Sequence, residues 1–137
     1  EITVGLLKVA MEKAGAQRFL LDGFPRALDQ AALFEEKVGM CNKVLFFDCP
    51  LNTMKERLMT RGETSGRDDD VAEVIEKRFQ TFAALTMPVV SRFKEEGKCV
   101  VFSADLAPDE VFRQVEVVFG PPALKPTVTS DPTPTVA

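Results

Sequence analysis

Hydrophobic residues follow two kinds of pattern along this chain, and each kind predicts a different element. Apolar residues three and four positions apart predict helices at 2–14, 27–38, 51–60, 71–82, from a break or kink at Pro88 to about Glu96, and at 108–119. Short continuous apolar runs predict buried parallel strands at 19–21, 43–48 and 99–102. Helices that alternate with buried strands predict an α/β three-layer sandwich with a mostly parallel sheet.

Polar residues follow each predicted strand, where ligands of parallel sheets bind. Asp22 follows the first run, Asp48 the second, and Ser103-Ala104-Asp105 the third. A carboxylate at the position of Asp22 can hold a magnesium ion through water. The alternative is that Asp22 is only the polar end of a buried strand.

Residues 61–70, with the sequence RGETSGRDDD, are polar and contain two glycines. This composition predicts an exposed loop, and paired glycines suit a hinged lid as well as a plain surface turn. The aspartates 68–70 that close the segment either cap the next helix or pair with nearby arginines.

The arginines on either side of that loop are candidates for binding phosphate. Arg57 and Arg61 are four residues apart and share a helix face, and Arg61 and Arg67 flank the loop glycines. The other two candidates are Arg26 and Arg78. Arginine binds phosphate oxygens in a bidentate manner, although a solvated basic patch would have the same sequence.

Composition excludes several classes of function. The net charge of −4 provides no basic field for nucleic acid, and the apolar runs are shorter than the about 20 residues that cross a bilayer. A zinc site is not expected, since the chain has no histidine and its three cysteines lack metal-ligand spacing. The odd cysteine count predicts a reducing, cytoplasmic setting. The proline- and threonine-rich residues 120–137 predict a disordered tail.

Two motifs in this order resemble one known family. FLLDGFPR at 19–26 is similar to the signature of adenylate and UMP-CMP kinases, and ERLMTRGETSGRDDD at 56–70 resembles the short lid of adenylate kinases. The likeness covers residues 1–119 and implies a P-loop nucleoside monophosphate kinase fold. It also implies the activity, which is transfer of a phosphoryl group from ATP with Mg²⁺ to AMP, giving ADP.

The resemblance also implies roles for individual residues. Arg26 and Gln30 would bind the AMP acceptor together with Arg67 and Arg78, and these last two would also neutralise the transferring phosphoryl group. Arg57 and Arg61 would bind ATP, with Arg61 acting as a third catalytic arginine over the donor phosphates. Asp22 would hold magnesium through water. The lid would include Gly62, Thr64, Ser65, Gly66, Asp69 and Asp70.

The acceptor base is predicted from one position. The resemblance implies that the residue four positions after the signature arginine distinguishes the two kinds of kinase. It is glutamine in adenylate kinases and asparagine in UMP-CMP kinases, and in this chain it is Gln30. Its amide can donate to and accept from an adenine edge, which favours AMP and leaves UMP or CMP as the alternative.

The family's phosphate cradle, glycine, four residues, glycine and lysine, is absent from these 137 residues. We therefore expect an N-terminally incomplete version of the fold, without its first strand and helix, and negligible kinase activity from this chain alone. A stable fold is expected to need a preceding segment, self-association or rearranged strand pairing. A non-catalytic nucleotide-binding or oligomerising remnant is the third functional alternative.

Overall fold

The computed structural model describes residues 2–65 and 72–120, which form six α-helices, a π-helical turn and two strands. In chain order these are α1 (Ile2–Ala14), α2 (Leu28–Lys37), β1 (Val44–Asp48), α3 (Leu51–Ser65), α4 (Ala72–Thr81), the π-turn (Phe82–Thr86), α5 (Met87–Glu95), β2 (Cys99–Ser103) and α6 (Pro108–Phe119). Within these residues no helix is long and apolar enough to cross a membrane.

The sheet is small and parallel. β1 pairs with β2 in a register that runs from Val44 opposite Cys99 to Asp48 opposite Ser103. The prediction of a third strand at 19–21 is wrong, because that segment has no regular structure and Leu20 is 84% exposed. A strand needs a hydrogen-bonded neighbour, and β1 and β2 pair with each other rather than with 19–21. The fold is therefore mixed α/β with a two-stranded sheet.

The core lies where α2 and α5 cover one face of this sheet. Ala31, Val89 and Phe93 form a buried cluster, against which Val44 and Cys99 pack from the strands. Val44 and Cys99 are opposite each other in the parallel register, so they point to the same face. The two strands are thus fixed to the helices at their amino ends, which leaves their carboxyl ends at the edge where ligands are expected.

α4, the π-turn and α5 follow one another without a gap. The break expected at Pro88 is instead a widened turn, in which the Met87 N–H donates to the Phe82 carbonyl oxygen five residues earlier. Pro88 has no N–H and its ring crowds the carbonyl four residues before it, which accounts for a local departure from α-helical bonding just upstream.

α3 is longer than the sequence pattern indicated, because it continues through 61–65. The predicted loop is therefore wrong for those five residues, where Gly62 is accommodated inside a helix at a cost of about 1 kcal/mol. Thr64 and Ser65 lie in the last turn of α3. The rest of the predicted lid, with Gly66, Asp69 and Asp70, lies outside the described residues, as do 121–137 of the predicted tail.

Candidate functional site

Residues 22–26 form a tight turn that holds Arg26. Gly23 has a φ of +64°, a conformation that glycine adopts without strain, and its carbonyl oxygen accepts a hydrogen bond of 2.8 Å from Nε of Arg26. A Cβ added to Gly23 would lie 3.1 Å from Nη2 of Arg26. The turn therefore needs glycine both for its backbone conformation and for the approach of the guanidinium group. Asp22, the predicted magnesium residue, is exposed at the start of the turn.

Side chains also hold the backbone of Arg26. Its N–H donates to Oε1 of Gln30 at 3.0 Å, and its carbonyl oxygen accepts from Oγ1 of Thr86 at 2.9 Å. Gln30, the predicted base-reading residue, thus lies beside Arg26 with its amide oxygen engaged. Thr86 was not predicted, because nothing in the hydrophobic pattern distinguishes a threonine near a helix-interrupting proline.

Arg57, the predicted donor-side residue, lies at the carboxyl edge of the sheet. Its guanidinium group donates to the carbonyl oxygens of Ala104 at 2.6 Å and Leu106 at 3.2 Å. Beside it, Thr53 donates to Oδ1 of Asp105 at 2.7 Å. These hydrogen bonds hold the loop after β2 against α3. The sequence did not indicate that Thr53 and Asp105 would contact each other.

Two open cavities lie at this edge of the sheet. One, of about 580 Å³, is bordered by Phe47, Arg57, Leu106 and Val111, and the other, of about 370 Å³, by Asp48, Ser103 and Asp105. The first cavity has both an apolar wall and an arginine.

The lid-side arginines are only partly described. Arg61 is half-buried on α3 and Arg78 is exposed on α4, and each makes an interaction within the structure. A salt bridge of 2.9 Å between Lys55 and Glu76 joins these two helices. Arg67 lies outside the described residues, so its predicted place beside Arg61 and Arg78 stays a prediction.

The metal prediction rests on Asp22 alone. In the described ranges there is no group of three or more acidic, cysteine or histidine side chains that could hold a metal ion. Mg²⁺ often keeps most of its waters and binds through one or two carboxylates plus substrate phosphates. A single exposed carboxylate is therefore compatible with a magnesium ion that keeps most of its waters, and the metal role of Asp22 stays a prediction.

A separate ion-pair network lies at the opposite, amino end of the sheet. Arg92 on α5 donates to Glu35 on α2 at 2.5 Å and to Glu96 at 2.8 Å, and Lys98 donates to Glu96 at 2.8 Å. The hydrogen bond to Glu35 raises the pKa of Arg92, and the bond from Lys98 lowers the pKa of Glu96. Since it joins α2 to α5 far from the Arg57 edge, we interpret this network as structural.

Two half-buried cysteines, Cys41 and Cys99, belong to the same end of the molecule. Partial burial raises the pKa of both thiols, which disfavours the reactive thiolate form. Both pack against the core cluster of α2 and α5, and we therefore assign them to packing rather than to the site.

Comparison with known proteins confirms the resemblance drawn from the two motifs. Residues 1–98 match the family model described as adenylate kinase. The chain is 45% identical over 119 residues to a uridylate kinase of Saccharomyces cerevisiae, covering 85% of this chain and 58% of that protein. It is 42% identical over 118 residues to adenylate kinase isoenzyme 1 of Caenorhabditis elegans, covering 84% and 56%.

A UMP-CMP kinase of Lentinula edodes is 41% identical over 126 residues, covering 83% of this chain and 56% of the relative. The chain thus spans a little under three fifths of the length of these relatives, whose names divide between uridylate, UMP-CMP and adenylate kinases.

Proposed function

Because the chain belongs to the adenylate kinase family of nucleoside monophosphate kinases, we propose that it takes part in phosphoryl transfer from Mg²⁺-ATP to a nucleoside monophosphate, with AMP as the preferred acceptor. The observation that carries this proposal is the turn at 22–26. There Arg26 is held by its own side chain and by both backbone groups, directly beside Gln30. An arginine fixed in this manner suits a phosphate, and the neighbouring amide suits a base.

The proposed division of labour follows the two ends of the site. Arg26 binds the acceptor phosphate, and Nε2 of Gln30 donates to a ring nitrogen of the acceptor base. Arg57, which borders the larger cavity, contributes to the site of the donor nucleotide. The proposed role of Asp22 is to orient the water shell of the magnesium ion.

Arg61, Arg67 and Arg78 are proposed to neutralise the charge of the phosphoryl group in transfer. Phosphoryl transfer depends chiefly on positioning and charge stabilisation rather than on a covalent protein intermediate. Arg61 on α3, Arg78 on α4 and Arg67 in the stretch of sequence between the two helices would meet that requirement without a further nucleophile.

Two alternatives have specific support. UMP or CMP as the acceptor is favoured by the 45% identity to a uridylate kinase. The second alternative concerns these 137 residues taken alone: they contain no Gly-x₄-Gly-Lys pattern, so as an isolated piece they would bind a nucleotide without catalysing transfer.

The test is a titration of the ¹⁵N-labelled chain with AMP, UMP and CMP, followed through the amide signals of residues 22–30. We expect AMP to shift these signals at the lowest concentration, and Arg26→Lys to weaken the effect because an ammonium group cannot form the bidentate contact. Arg113→Ala, which removes an exposed arginine of α6, is the matched control.

The outcomes separate the alternatives. Tighter binding of UMP or CMP would replace AMP as the acceptor, and the absence of any shift with all three nucleotides would contradict the proposed function. A coupled assay with ATP and the preferred acceptor is expected to show negligible turnover by this chain alone. Turnover well above a blank would contradict that expectation and remove the non-catalytic alternative.

A further inference from the structure

We propose that Thr86 is a positioning residue for Arg26, and that it fixes the acceptor phosphate arginine from a distant part of the chain. The inference rests on the proposed function of the turn at 22–26. Thr86 is the last residue of the π-turn, 60 positions after Arg26, and its Oγ1 donates to the Arg26 carbonyl oxygen at 2.9 Å.

The hydrogen bond completes a set around one residue. Within the turn, the Arg26 side chain is held by Gly23, and its N–H is held by Gln30. Both of those bonds are local, spanning three and four residues, so they shape the turn without fixing it relative to the rest of the fold. The bond from Thr86 is the one in this set that connects the turn to the helices after the lid.

A second threonine in the same run of helix shows that this geometry is not a general property of threonine. Oγ1 of Thr81, at the end of α4, donates to the Lys77 carbonyl oxygen at 2.9 Å, the ordinary bond to the residue four positions earlier. Thr86 instead directs its hydroxyl group to Arg26, and the Phe82 carbonyl four residues before it accepts from the Met87 N–H. The hydroxyl group of Thr86 is thus engaged outside its own helical run, whereas that of Thr81 is not.

The Thr86 hydrogen bond therefore links the turn proposed to bind the acceptor with the helices that follow the predicted lid. Arg78 lies on α4, immediately before the π-turn, and Arg26 lies at the other end of the Thr86 hydrogen bond. Movement of α4 relative to the sheet would therefore change the position of the acceptor arginine. π-Turns inside helices occur often at functional sites, in agreement with this placement.

The test compares three variants of the chain by nucleotide titration at a temperature well below unfolding. Thr86→Val removes the hydroxyl group and keeps the branched shape, Thr86→Ser keeps the hydroxyl group, and Thr81→Val removes an equal hydrogen bond from the same helical run. A net hydrogen bond corresponds to about a fivefold change in an equilibrium constant. We therefore expect Thr86→Val to weaken AMP binding about fivefold, and the other two variants to bind as the unmodified chain does.

A readout without ligand separates this proposal from the proposed function. Two NMR observables report the hydrogen bonds around Arg26 directly. The ¹³C chemical shift of its carbonyl carbon reports the bond from Thr86, and the exchange rate of its Nε proton reports the bond to Gly23. We expect Thr86→Val to change both and Thr81→Val to change neither. If no monophosphate binds to the unmodified chain, the proposed function fails, and the functional role of Thr86 fails with it. This holds even if the carbonyl shift shows that the hydrogen bond from Thr86 to Arg26 is present. If AMP binds and Thr86→Val binds it as tightly as Thr86→Ser, the positioning role is overturned.

Discussion

Replacing Arg57 tests how the site edge is held together, because this residue joins α3 to the loop after β2. Its guanidinium group donates to the carbonyl oxygens of Ala104 and Leu106, and Nη1 also lies 3.8 Å from the sulfur of Cys49. Arg57→Ala removes all of these contacts, whereas Arg57→Lys keeps the charge with one ammonium group that reaches one carbonyl at a time.

The magnitude follows from the two carbonyl bonds. A hydrogen bond from a charged donor contributes about 1.5–3 kcal/mol, and we discount two such bonds to about 2 kcal/mol in total because solvent replaces them at this exposed position. For a chain of this length, that corresponds to a decrease of roughly 6 °C in Tm. Arg57→Lys is expected to lose about half as much, since one of the two carbonyls keeps a partner.

Urea unfolding followed by circular dichroism measures this free energy. Arg113→Ala is the control, since it removes an exposed arginine from α6 for which the part of the chain that the structure describes shows no hydrogen bond or ion pair. If Arg57→Ala unfolds at the same urea concentration as Arg113→Ala, the contacts of Arg57 do not stabilise the edge, and the reasoning is refuted.

Three further predictions concern the turn, the core and the ion pairs. Gly23→Ala is expected to weaken AMP binding about tenfold, because φ is positive and the new Cβ crowds Arg26, and nucleotide titration checks it. Phe93→Ala, at a side chain only 2% exposed, should lower the free energy of unfolding by about 3–5 kcal/mol in urea, whereas Phe112→Ala, at a residue 51% exposed, should change it little. The hydrogen bond from Lys98 lowers the pKa of Glu96 in the folded chain, so the ionised carboxylate stabilises the fold at neutral pH, and this stabilisation is lost as the pH falls from about 5. The difference in free energy of unfolding between the unmodified chain and Glu96→Gln, measured in urea, should therefore shrink over that range. A difference that does not change with pH would contradict this.

The sequence predicted an element well where the apolar pattern within that element was enough to determine it. Periodic apolar residues placed α1 and α6 at the bounds seen, and the run at 43–48 became β1 within one residue. The run at 19–21 failed because a strand depends on a partner elsewhere in the chain, which an apolar run does not reveal. The prediction ended α3 at residue 60 because the polar stretch 61–70 with its two glycines indicated a loop, although the helix accommodates Gly62.

The individual site residues stay predictions, and the sequence did not indicate the contacts that connect them. The motifs identified Arg26 and Arg57, and the structure places each at a polar edge or turn. The supporting contacts of Thr86 and Thr53 were missed, since a threonine hydroxyl group that donates across 50–60 residues leaves no periodic signal. Such contacts depend on tertiary packing, which pattern and propensity do not encode.

The kind of partner separates Arg26 and Arg57 from Arg92. Arg92 is paired with the carboxylates of Glu35 and Glu96, so its charge is already compensated within the fold. In the described ranges Arg26 and Arg57 instead donate to carbonyl oxygens, which fix a guanidinium group without neutralising it. A fixed guanidinium group whose described partners are uncharged suits a phosphate, because little ordering entropy is lost and no ion pair among the described residues must break when the anion binds. On this reasoning, an acidic residue placed beside Arg26 would reduce nucleotide affinity more than it would change stability.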